Sequence, residues 1–121
     1  MPSADVARDV ADMVDVLGGE LAFAIEAMGT RVAMVRLAGE PSPPLLLAGH
    51  LEGERPVLVY RVKSLDAATG ELRARGLDPG PAFGIPHGPC RAFGLAGGHR
   101  FALYELTRPE AAERFAGRRD F

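Results

Sequence analysis

Three histidines, one cysteine and a few arginines and tyrosines are the side chains of this sequence that could do chemistry. His87 and Cys90 stand three positions apart, and an imidazole beside a thiol is the raw material of a nucleophile. Gly88 and Pro89 lie between them, and turn geometry alone accounts for both. No acid stands nearby to orient the imidazole. His99 follows Gly97-Gly98, but no strand–loop–helix follows, so the glycines do not read as a phosphate cradle. His50 ends a short apolar run, where alternation gives it the side of Leu46. It reads as a ligand contact or as a solvated strand-end histidine. Arg61 shares a strand face with Val57 and Val59, and Arg100 and Tyr104 share one with Ala102. Arginine and tyrosine over an apolar floor suit an anionic or aromatic ligand. Solvation of the arginines and packing of Tyr104 is the competing reading. The mixed charges of 113–121 make a weak field, so that tail reads as docked or partner-contacting.

The elements that must position these groups follow from periodicity. Val6, Val10, Met13, Val14 and Leu17 recur at helical spacing, which predicts a helix over 4–17 capped by Ser3 and stopped by Gly18-Gly19. Leu21, Phe23 and Ile25 alternate along an expected strand over 20–26, with a return strand over 30–37. The proline-rich run 40–44 is a loop, and Leu45–Ala48 a short buried strand. After a linker-like stretch over 52–56 come a strand over 57–62 and a helix capped by Ser64 or Asp66 and running to Arg75. Three short strands are expected over 81–86, 90–93 and 100–105, then a helical turn from Pro109 to Ala116. Alternation directs Leu58, Tyr60, Val62, Phe101 and Leu103 toward the helices.

The whole sequence has 121 residues and a net charge of −2, which fits one domain and excludes a broadly basic nucleic-acid footprint. Fifteen glycines and ten prolines exceed the roughly 15 that average usage predicts for both together, favouring short strands and turns over a helix bundle. A single cysteine rules out an intrachain disulfide and a multi-cysteine zinc site, and fits a reducing compartment. The first ten residues lack the apolar stretch of a signal peptide, and no apolar run approaches the ~18 residues of a membrane span. The expectation is a soluble cytoplasmic protein with no membrane or nucleic-acid partner. Helix–strand–strand–strand followed by strand–helix–strand–strand–strand reads as a duplicated unit of roughly 55–60 residues whose first copy lacks its opening strand.

That layout resembles the vicinal oxygen chelate superfamily, which includes glyoxalase I, extradiol dioxygenases and the bleomycin resistance proteins. The resemblance rests on Val14–Leu21 as a helix exit, Val57–Asp66 as a second-module strand and helix entry, and His87–Phe93 through Gly98–Glu105 as a final hairpin. It implies an α+β fold of two βαβββ-type modules, their mixed sheet curled into a cup. Module one spans 1–52 and module two 56–108, with a tail over 109–121. The family's metal enzymes set His or Glu ligands at the first and last strand of each module. Carried over position by position, these fall on Leu46, Val57 and Ala102, and the first-strand position of module one has no counterpart. Apolar side chains cannot ligate a metal, so neither metal nor cofactor is expected.

The resemblance therefore implies a metal-independent binding protein similar to bleomycin resistance proteins, with a small-molecule ligand in the cup. The expected ligand-binding residues are His50, Val57, Val59, Arg61, Arg100, Ala102 and Tyr104, and catalytic residues are not assigned. A metal-dependent lyase or dioxygenase with relocated ligands, and an interaction module without a site, are the alternatives. A homodimer is expected, because a module short of one strand leaves a sheet edge vacant. The module-one edge or the tail is the expected interface.

Overall fold

The computed structural model describes residues 1–39 and 41–121; Glu40, at the head of the expected proline loop, lies outside them. The chain divides into two compact units: residues 1–54 with 115–121, and residues 55–114.

In the first unit, helix α1 (Val6–Ala11) runs into a π-helical segment over Asp12–Val16. The helix begins two residues later than expected. Asp5, not Ser3, is the cap: its carboxylate accepts the Arg8 N–H at 3.2 Å, and the Ser3 hydroxyl donates instead to Asp9. Strands β1 (Glu20–Ala27), β2 (Thr30–Arg36) and β3 (Leu45–Ala48) form an antiparallel sheet in that order. The β1–β2 turn places Met28 at φ 51° and Gly29 at φ 74°, the two left-handed positions of a type I′ hairpin. Val6 and Val10 pack on Ala24, Ala33, Val35 and Leu47, which make the core of this unit. Gly19 leads into β1 where a Cβ would stand 2.7 Å from the Val35 side chain, so close approach requires the glycine.

One expectation for β1 fails for a physical reason. Simple alternation puts Leu21, Phe23 and Ile25 on one face. A bulge at Ala22 instead pairs Leu21 with Val35 and Phe23 with Met34. Leu21 and Ala24 therefore turn to the core, and Phe23 and Ile25 to the opposite side. The extra residue of a bulge shifts alternation by one.

Both edges of this sheet carry short parallel companions. Met1 and Ser3 bond Ala48 beside β3 through a bridge at Pro2. The opening position is thus held by one bridge and not by a strand. Beside β1, Gly117, Arg118 and Asp120 bond the backbone of Ala22 and Ala24. The tail docks, with the ring of Phe115 in α3 (Ala111–Phe115) tilted against Phe23 at 5.6 Å between centroids.

The second unit is a mixed four-stranded sheet in the order β4 (Val57–Val62), β7 (Arg100–Glu105), β6 (Gly88–Gly94) and β5 (Phe83–Ile85). β4 and β7 run parallel and the other pairs antiparallel. Helix α2 (Leu65–Ala74) makes the crossover; its cap is Ser64, whose hydroxyl accepts the Ala67 N–H at 3.2 Å. The reversal before β6 sits at Pro86-His87, because β6 already begins at Gly88. The fold class is α+β with two βαβββ-type modules.

Candidate functional site

The parallel register of β4 and β7 sets Val57 beside Arg100, Val59 beside Ala102 and Arg61 beside Tyr104. Alternation gives these six residues one face. The other face carries Leu58, Tyr60 and Val62 with Phe101, Leu103 and Glu105. Glu105 accepts the Leu65 N–H through Oε1 at 3.2 Å, which fixes α2 over that second face. Helix cover is incomplete there, and Leu58 and Tyr60 stay about half exposed. The expected parity of β4 and β7 holds, but packing of Leu58 and Tyr60 under a helix does not. α2 lies against β6 and β7.

The face away from α2 is open. β6 adds Ala92 opposite Ala102 and Cys90 opposite Tyr104, and β5 adds Phe83 opposite Cys90. Val59, Ala102, Ala92, Cys90 and Phe83 make an apolar floor with Arg61, Arg100 and Tyr104 around it. Ala102 and Cys90 are buried, whereas Val59 and Phe83 are half exposed.

The polar groups differ in what holds them. Arg100 donates through Nη2 to the carbonyl of Arg55, and Arg55 donates to the carbonyl of Gly97 at 2.7 Å. Arg100 therefore helps stitch the strand ends together. Arg61 is exposed and makes no hydrogen bond or ion pair among the described residues. It lines a shallow depression of about 390 Å³ with Val62, Lys63, Glu105 and Leu106. The Tyr104 ring meets the edge of His87 with centroids 6.2 Å apart. His87 in turn is anchored through its carbonyl, which accepts the Thr107 and Arg108 N–H groups at 3.0 Å.

Cys90 lies beside Tyr104 in the same face, yet burial pushes its thiol pKa up. An activated nucleophile needs the opposite shift. His99 is exposed in the β6–β7 turn. His50 is exposed in the turn after β3 and belongs to the first unit, whereas the other six expected site residues share the open face of the second. Lys63 and Phe83 were not among the expected residues. Lys63 continues the odd-numbered series 57, 59, 61, and Phe83 needed the β5–β6 register to be placed. Among the described residues, no three His, Cys, Asp or Glu side chains gather as a metal ion requires. No described helix is long and apolar enough to cross a membrane.

Comparison of the structure with solved ones decides the fold. Methylmalonyl-CoA epimerase from Mycobacterium tuberculosis aligns over 92% of this chain and 87% of its own, at 22% identity and a TM-score of 0.68. The chain has the vicinal oxygen chelate fold. A second structure, named as an NAD-dependent benzaldehyde dehydrogenase from Legionella pneumophila, aligns over 88% of this chain and 95% of its own, at 17% identity and a TM-score of 0.63. No family model matches the sequence. No curated protein matches it either. The two names denote different reactions, so the shared fold does not by itself fix the chemistry. In this version of the fold, the open face of β4 and β7 offers arginines, a phenol and apolar carbon.

Proposed function

We propose that the chain binds a small anionic or aromatic molecule on the open face of the β4–β7–β6–β5 sheet, and does so without a metal. One observation carries this reading. The six open-face residues of β4 and β7 supply two guanidinium groups and a phenol, but no imidazole or carboxylate. Guanidinium is a strong partner for planar anions, while a metal needs donors that these positions lack. Arg61 and the neighbouring Lys63 are the cations that would meet the ligand first. Phe83, Val59 and Ala102 would bury its apolar part. His50 would contribute only if the first unit brings it to the same ligand. A cytoplasmic location belongs to this reading, since a lone buried thiol fits a reducing compartment.

Thermal unfolding with aromatic carboxylates and glycopeptides tests the proposal. A ligand that binds only the native state raises the melting temperature in proportion to the logarithm of its concentration. The expected result is a rise that continues logarithmically with ligand concentration, that chelator leaves untouched and that Arg61→Ala removes. A tightly held equivalent of metal whose removal lowers the melting temperature would replace this reading with a lyase or dioxygenase of the glyoxalase type. No shift and no metal would leave an interaction module.

A further inference from the structure

The layer between α2 and its sheet holds two polar atoms that make no hydrogen bond among the described residues. The first is Oγ1 of Thr69, a residue in the middle of α2 that is 3% exposed. A threonine inside a helix can spend its hydroxyl on the carbonyl three or four residues back. Thr69 does not. Leu65, also buried, precedes it by one turn, so the two share the face of α2 that meets the sheet. The second atom is Nε of Arg91. Arg91 pairs with Leu103 in the β6–β7 register, which puts it on the α2 side. Its Nη1 donates to the Gly80 carbonyl at 2.8 Å, whereas its Nε is buried and unbonded.

Register brings the two atoms to one level of that layer. Glu105 holds the Leu65 N–H at the C-terminal end of β7. α2 follows β4, which is parallel to β7, so the helix returns antiparallel to β7. Four residues of helix cover about 6 Å, and two residues of strand about 6–7 Å. Thr69 therefore stands at the level of Leu103, whose partner on β6 is Arg91. α2 packs on both of these strands. The carboxylates around them are committed elsewhere. Glu71 pairs with Arg75 and Asp78 with Arg73, each at 2.9 Å, and Glu105 caps Leu65. Arg91 has no carboxylate partner among the described residues.

We propose that a small monovalent inorganic anion, of the size of chloride, binds between α2 and β6. Nε–H can only donate, and the Thr69 hydroxyl can donate as well. One acceptor between them satisfies both, as buried polar atoms require. A negative charge on that acceptor also balances the guanidinium that no carboxylate meets, and makes the hydrogen bonds charge-assisted. Water could accept the same two bonds but would leave the charge unbalanced. Because the anion joins a helix residue to a strand residue, it helps seat α2 on the sheet. Stability then depends on which anion is present and not on ionic strength alone. The site lies on the opposite side of the sheet from Arg61, Arg100 and Tyr104, and it does not rest on the ligand reading.

Thermal unfolding of the full chain at constant ionic strength, with chloride exchanged for gluconate, tests the proposal. Gluconate is too large for a site of that size. The melting temperature should climb by a few degrees per tenfold rise in chloride once the site is mostly filled. Thr69→Val, which keeps the shape and removes the hydroxyl, should flatten that dependence, and Thr69→Ser should keep it. Crystals of the unaltered chain soaked in bromide give a readout that needs no variant. An anomalous peak should lie in contact with Arg91 Nε and Thr69 Oγ1. Density for water alone at that position overturns the proposal. So does a melting temperature that follows ionic strength whatever the anion, or a Thr69→Val variant that responds to chloride as the wild type does. A bromide peak without any chloride dependence in solution is an adventitious ion only, and overturns it too. Bromide at Arg61 or Lys63 and none under α2 overturns this proposal and leaves the ligand reading standing.

Discussion

Asp120 accepts the backbone N–H of Glu26 at 2.9 Å, joining positions 94 residues apart. The same carboxylate pairs with Arg118 at 2.7 Å. Together with the backbone bonds at Ala22 and Ala24, this contact lays the tail along the outer edge of β1. Arg119 reaches across to the carbonyl of the bulged Ala22 and to that of Leu21 before it. The tail thereby supplies donors where the bulge interrupts the ladder.

Removing residues 117–121 should destabilise the first unit by on the order of 3 kcal/mol. The three backbone hydrogen bonds that tie these residues to β1 disappear, each worth about 1 kcal/mol net. Urea unfolding followed by circular dichroism is the measurement. An unchanged midpoint would mean that the tail does not hold β1.

Asp120 also makes stability depend on pH. The Arg118 hydrogen bond, and then the Glu26 N–H, hold its carboxyl below the ordinary range. A carboxylate with a lowered folded pKa stabilises the fold above its unfolded pKa, and the contribution is lost as pH falls through the folded value. The melting temperature should fall with acidification more steeply in the wild type than in Asp120→Asn. The two curves should converge in acid. Parallel curves would sink the idea.

Burial separates two aliphatic truncations. Leu47 is 1% exposed, whereas Val59 is 56% exposed. Leu47→Ala should cost about 2–5 kcal/mol. Val59→Ala should stay within about 0.5 kcal/mol. Chemical unfolding of both variants would show the order, and a reversal would mean that β4 is covered in solution.

Gly88 should tolerate no side chain. Its φ is 152°, and a Cβ there would collide with the Glu105 carbonyl and stand 2.8 Å from the Thr107 hydroxyl. Gly88→Ala should unfold the protein or cost several kcal/mol, because backbone rather than a pliable side chain blocks the space. Soluble expression with an unaltered melting temperature would contradict this.

Met28 offers the reverse case. It is fully exposed with φ 51°, a conformation that Asn adopts more readily. Met28→Asn creates the Asn-Gly pair favoured in type I′ hairpins and should stabilise by about 0.5–1 kcal/mol. A lower melting temperature for the variant would show that Met28 has a role in solution beyond the turn.

Local pattern was enough for much of the molecule. Alternation in 57–62 and 100–105 placed Val57, Val59, Arg61, Arg100, Ala102 and Tyr104 on one face, and of the two expected caps of α2, Ser64 and Asp66, the structure has Ser64. What stayed hidden was set by distant partners. The bulge at Ala22 leaves no trace in the apolar spacing of 20–26, yet residues nearly a hundred positions later bond its carbonyls. Nothing beside Arg100 in the chain announces that it holds Arg55. Leu58 and Tyr60 have the composition of covered strand residues, and only the placement of α2 over β6 and β7 reveals that they are not.

The tail's position also imposes an order on synthesis. Residues 55–114 form their unit as one unbroken run, while the unit begun at Met1 is completed by 115–121. Translation proceeds at about 5–20 residues per second, so β1 waits on the ribosome with its outer edge bare until all of the second unit has been made. During that interval, β1 on a nascent chain is open to recruitment by a neighbour on the same message.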